Sequence, residues 1–219
     1  MRVTEPATLL TDYVIAAFAI VFLVRLLRKY RETRSFSVLF WSFTFASVAF
    51  GAAIGGTYHG TQGWWRPSVQ DALWHATLVA MVAVGFSLLV AVIFSTLDGK
   101  WRRVALCVAA VKAVCFFLWV LKDPRFLVAI GDYGSSMAGV GVLAAFRLGG
   151  SWKKPGRWIL GAIAVSVLGA AVQILKWAPH PHFNHNDLFH VIQLGANWLF
   201  FRAGLVSRDW QAGPSRERH

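Results

Sequence analysis

Apolar residues fall into seven runs separated by short polar breaks, at residues 9–27, 36–58, 71–97, 104–121, 126–148, 158–177 and 187–206. Each run approaches the roughly 20 residues that carry a helix across a bilayer. The breaks hold turn chemistry: Asp98-Gly99, Asp123-Pro124, Lys154-Pro155-Gly156 and Pro179-His180-Pro181. Trp64, Trp65, Trp101, Trp152, Trp158 and Trp177 flank the runs, where an indole sits best at a membrane interface. The pattern predicts an all-α membrane protein, a single seven-transmembrane-helix bundle over residues 1–219. Residues 1–8 form an outer N-terminal segment and 207–219 a cytoplasmic tail.

Composition agrees with the pattern. Of 219 residues, 57% are hydrophobic and only 15% charged, too apolar for an ordinary soluble domain. The net charge of +12 raises the question of nucleic acid, but the Lys and Arg lie in short loops and form no basic stripe among exposed aromatics. A multi-pass protein of a bacterial inner membrane or plasma membrane, with lipid and not nucleic acid as its partner, is expected. The N-terminal stretch has neither a basic n-region nor a small-residue cleavage site, so the first run reads as a retained anchor. Cys107 and Cys115 share one run and suit neither a disulfide nor a CxxC site, which predicts small buried core residues.

Loop charge sets the expected orientation. Arg28, Lys29, Arg31 and Arg34 follow the first run, Lys100, Arg102 and Arg103 the third, and Lys153, Lys154 and Arg157 the fifth; Arg66 and Lys176 alone follow the second and sixth. Positive charge inside therefore places the N-terminus outside and the C-terminus inside. Six of the seven histidines, His59, His75, His180, His182, His185 and His190, then fall at the outer face.

Polar residues within the runs have structural explanations. Lys112 and Asp132 are costly in hydrocarbon unless paired, and antiparallel neighbours would bring them to similar depth. Gln173, Gln193 and Asn197 suit interhelical hydrogen bonds, and Gly51-xxx-Gly55 and Gly131, Gly134, Gly139 and Gly141 suit close packing.

The histidine-rich end asks for chemistry. Asp187 and His190 share a helix face, as do Asn186 and His190, whereas His185 and His190 diverge by roughly 140° on an ideal helix. His185 joins His190 only from a cap or a bulge, and Asn184 or Asn186 would supply the cap. Asp71 and His75 share a face of the third helix, and His59 ends the second. Imidazoles and carboxylates from three helices suit zinc, with three protein ligands and a water made acidic enough to act as a nucleophile. His180 and His182, in a Pro-rich loop, read as solvated side chains.

With these residues the chain resembles the CREST superfamily, which includes alkaline ceramidases and the progestin and adipoQ receptors. The resemblance rests on His59 at the end of helix two, Asp71 early in helix three and His190 within Asp-Leu-Phe-His-Val-Ile, together with the helix number. It implies a zinc-dependent membrane hydrolase of amide- or ester-linked lipids, with Asp71 orienting or deprotonating the water. Two positions depart from the family pattern: Asn186 stands where the first helix-seven His is expected, and Gly55 where a Ser is expected. Either His185 supplies that ligand, or Asp187 replaces it, or the metal site is lost. The expected metal ligands are thus His59, His185, His190 and Asp187. Two other readings compete, a haem-binding membrane protein and a non-catalytic seven-helix subunit or receptor. A retinal protein is disfavoured because residues 187–206 contain no Lys.

Overall fold

A computed structural model of the chain describes residues 3–147, 153–180 and 183–210. His182, Trp152 and the segment 211–219 lie outside the described residues. Seven helices account for nearly all the rest: α1 Pro6–Thr33, α2 Phe36–Gly60, α3 Pro67–Thr96, α4 Gly99–Lys122, α5 Phe126–Phe146, α6 Lys153–Leu175 and α7 His185–Val206. No strand occurs among the described residues, apart from an isolated bridge between His180 and Phe183. Six helices, α1 to α6, are long and apolar enough to cross a membrane. The all-helical bundle expected from the seven runs is therefore present, and its composition is that of a multi-pass membrane protein.

Most helices are longer than the apolar runs, whereas α5 ends two residues short of its run. Pro6 and Pro67 stand in the first turns of α1 and α3, where the missing N–H costs nothing and the fixed φ favours the helix. α7 starts with a capping box: the Asn184 side chain accepts from the backbone of Asn186 and Asp187, and Asp187 accepts from the Asn184 N–H at 2.7 Å. α2 takes its cap from a distant part of the chain. Asp209 accepts from the N–H groups of Phe36 and Ser37 and from the Ser35 hydroxyl at 2.7–2.9 Å.

Packing divides the helices unequally. α1, α2, α3, α5, α6 and α7 touch in succession, and α7 returns to α1, closing a ring; α4 touches only α3 and α5. Cys107 and Cys115 are accordingly exposed on the outer side of α4, a correction to their expected burial. Only Ala109 and Val120 of α4 are fully buried, because a helix packed outside a ring has neighbours on one side alone.

Lys112 does reach inward from α4. Its Nζ donates to Asp132 Oδ1 at 2.5 Å, to the Asp132 carbonyl at 2.9 Å and to Ser136 Oγ at 2.8 Å. Gly85 of α3 makes room for this cluster, since a Cβ there would come within 2.6 Å of Asp132. Of the four α5 glycines, Gly139 and Gly141 meet neighbouring helices closely, whereas Gly134 faces open space.

One half of the ring is solid. Phe22, Leu26, Trp41, Phe45, Phe200 and Phe201 fill the half nearer the ends of α1 and α7, with Phe22 and Phe201 stacked at 4.3 Å. The other half, at the histidine-bearing end, holds a cavity.

Candidate functional site

The cavity measures about 440 Å³ and is lined by all six ring helices and by none of α4. Its floor is the hydrophobic core, at Phe45, Leu88 and Phe200. Apolar side chains such as Val48, Met81 and Val84 form one wall, and Asp12, His59, Gln173, Lys176, His185 and His190 gather toward the mouth. The space is amphipathic, the usual character of a small-molecule site.

α7 explains much of that polarity. Asn186, His190, Gln193 and Asn197 all line the cavity, and their spacings of four, three and four put them on one helix face. The stripe is also why α7 alone fails to qualify as a membrane span by composition: its polar residues face into the ring. Gln173 donates to Asn186 Oδ1 at 3.0 Å and Gln193 to the Tyr133 hydroxyl at 3.3 Å, so two of the three expected polar residues make interhelical bonds at the cavity wall. His185 occupies the first position of α7 after the Asn184 cap, and from there it lines the same cavity as His190.

The carboxylate that meets His190 is Asp12 of α1. His190 Nε2 lies 3.5 Å from Asp12 Oδ1, and both side chains are nearly buried. The other ring nitrogen, Nδ1, is 2.9 Å from Thr11 Oγ1. The Thr11 hydroxyl is also 3.0 Å from the carbonyls of Ala7 and Thr8, which holds it beside the ring. With Nδ1 engaged by Thr11, Nε2 is the ring nitrogen turned toward the Asp12 carboxylate. An imidazole nitrogen and a carboxylate oxygen facing each other in a buried place are satisfied by a proton or a cation between them.

Close helix packing delivers Asp12. A Cβ added at Gly56 would lie 2.8 Å from Asp12 Cβ, and one at Gly55 would lie 3.8 Å from Asp12 Oδ2 and 3.4 Å from Thr77. Gly55 and Gly56 thus let α1 come against α2, and the site where the resembled family has a Ser is overhung by a carboxylate from α1. Asp12 is not among the residues expected at the site, although an Asp inside the first apolar run is a signal of its own.

His59 is part of a second pair. Its Nδ1 is 3.3 Å from Glu5 Oε2, and its ring packs edge-on against Trp74 at 6.5 Å. Thr4 binds the His59 carbonyl through its hydroxyl and the Gly60 carbonyl through its N–H, which straps the N-terminal segment over the end of α2.

The other expected site residues are placed differently. Asp71 is exposed near the start of α3 and does not line the cavity; its backbone carbonyl bonds His75 Nδ1 at 2.7 Å. Asp187 is buried, but both its oxygens are engaged, one by the Thr8 hydroxyl at 2.8 Å and one by the Asn184 N–H. It ties α7 to α1. His180 is exposed in the loop, as expected.

Imidazole and carboxylate are suitable zinc donors, yet this arrangement does not gather them around one point. Among the described residues no group of three or more His, Cys, Asp or Glu converges as a metal-binding set. Asp187 is engaged by Thr8 and Asn184, His190 Nδ1 faces Thr11 and leaves only Nε2 toward the cavity, and His59 is turned to Glu5. The residues as arranged do not fit a closed zinc site.

No curated protein matches the chain. A family model does match residues 7–209, from the first turn of α1 to the segment beyond α7, and the chain therefore belongs to DUF6962, a family of unknown function.

Proposed function

We propose that this protein is a multi-pass membrane hydrolase that takes an amphipathic lipid, amide- or ester-linked, into its ring cavity from the outer face. The single observation that carries the reading is the buried Asp12–His190 pair set in a cavity with one apolar wall and a polar mouth. Acyl chains suit the wall formed by Val48, Met81, Val84 and Leu88, and a headgroup suits the mouth with Gln173, Lys176 and Asn186. The Asp12–His190 pair takes a proton from water as the water oxygen adds to the acyl carbon. It returns that proton to the departing amine or alkoxide, leaving a fatty acid and an amine or alcohol. The orientation, N-terminus outside, rests on the loop charges, and the resemblance to ceramidase-like proteins belongs to the same proposal.

A second reading, zinc-dependent hydrolysis, is favoured by His190 Nε2 facing Asp12 and by His59 and His185 lining the same cavity. It requires His59 to swing away from Glu5. One experiment separates these readings from a non-catalytic receptor and from a haem protein: metal analysis and an absorption spectrum of the purified protein, alongside turnover of a panel of ceramides and other acyl lipids. Turnover that survives chelation supports the Asp12–His190 reading. About one zinc per chain, lost in a His59→Ala/His190→Ala double variant, supports the zinc reading. A haem spectrum, or binding of the panel lipids without turnover, overturns both.

A further inference from the structure

At the end of the bundle opposite the histidines, a second cavity of about 440 Å³ opens between the C-terminal turns of α1 and α7 and the first turn of α6. Its lining includes three cations from three parts of the chain, Lys29, Lys154 and Arg208, together with Thr33 and Ser207. Among the described residues no carboxylate lines it and none of the three cations forms an ion pair; the exposed Glu32 lies near Lys29 but outside the lining. The nearest acid in sequence to Arg208 is Asp209, and that carboxylate is spent on the N-terminus of α2.

We propose that this cavity is a binding site for a phosphate group. Three cations held around one concavity repel one another, and the fold tolerates this where a multiply charged anion is available to neutralise them. The carbonyl ends of α1 and α7 favour cations here but contribute only partial charges, whereas the first turn of α6 points its positive end toward the same region. A phosphate offers several acceptor oxygens at once to an Arg fork and two ammonium groups. The cavity lies at the ends of apolar helices, so a phosphodiester headgroup of an anionic lipid and free phosphate in solution are both able to reach it. The site is separate from the Asp12–His190 cavity and does not rest on its reading.

The test uses the full chain purified in neutral phosphatidylcholine nanodiscs. One arm titrates inorganic phosphate by calorimetry; the other measures retention of dioleoylphosphatidylglycerol by native mass spectrometry, with phosphatidylcholine as the reference lipid. Binding in at least one arm is expected. Arg208→Gln, at an exposed position that leaves the fold intact, should weaken it about fivefold, the effect of one cation near an anionic surface. A Lys29→Gln/Lys154→Gln/Arg208→Gln variant should abolish it, while Arg28→Gln, a neighbouring cation outside the cavity, should leave it unchanged. Phosphatidylglycerol retention that inorganic phosphate fails to displace identifies the headgroup as the source. Phosphate binding without lipid selectivity identifies the free ion. Equal binding by wild type and Arg208→Gln, equal weakening by Arg28→Gln, or no binding in either arm overturns the proposal.

Discussion

His190 Nε2 lies 3.5 Å from Asp12 Oδ1, so the last helix of the bundle delivers an imidazole to the carboxylate that the first helix turns into the cavity. Their meeting depends on the ring closing between α7 and α1. It also depends on Gly55 and Gly56, which let α1 approach α2 closely enough to bring the carboxylate inward.

This pair gives the first prediction. Asp12→Asn keeps the shape of the side chain but removes the proton acceptor, and turnover should fall by about 10²-fold or more, the usual scale of general acid–base catalysis. Asp71→Asn, at an exposed position outside the cavity, should leave turnover within about twofold of wild type, a difference worth less than half a kcal/mol in barrier. Steady-state kinetics on the same lipid compares the two; inactivation by Asp71→Asn with Asp12→Asn active would hand the role back to Asp71.

Asp187 should behave as a structural residue. Removing its side chain leaves the Thr8 hydroxyl and the Asn184 N–H without their acceptor and strips the capping box from α7. Asp187→Ala should cost about 1–2 kcal/mol, the scale of a lost N-cap. Thermal unfolding of Asp187→Ala, Thr8→Val and the double variant checks it: the two effects should be less than additive, because each removes the same bond.

Lys112 and Asp132 should show a stronger non-additivity. Either single replacement, Lys112→Met or Asp132→Asn, leaves the other partner of an intramembrane pair without its counterpart and should destabilise the bundle by about 3–5 kcal/mol. The double variant should recover much of that loss. Unfolding midpoints in detergent that fall by the sum of the two single effects would show that the pair is not coupled.

Topology is tested by labelling. With Cys107 and Cys115 replaced, single cysteines at residues 60–67 should react with an impermeant reagent from outside, and cysteines at 28–34 should be protected. Labelling of 28–34 from outside would reverse the bundle and put the His190 cavity on the inner side.

Much of the fold was legible in the sequence because a bilayer-length apolar run is a local property. The starts of α2 and α5 and the end of α7 fall where the pattern put them, and Asn184 caps α7 as one of two proposed residues. The pairing of Lys112 with Asp132 was legible for a related reason: an unpaired charge in hydrocarbon is too costly to leave alone. Seven similar runs, however, do not say which helices close the ring. That α4 stands outside it, with Cys107 and Cys115 exposed, follows from tertiary packing alone.

The site divides in the same way. His59, His185 and His190 were recognisable because a polar residue beside an apolar run is conspicuous, and all three line one cavity. Which carboxylate joins them was decided by helix contacts distant in sequence. Asp71, only twelve residues from His59, is on an exposed face, while Asp12 reaches His190 from the opposite end of the chain. A residue's neighbours along the chain determine whether it is helical and apolar; what its side chain meets is determined by the surfaces that pack against it, and here two glycines on α2 make that choice.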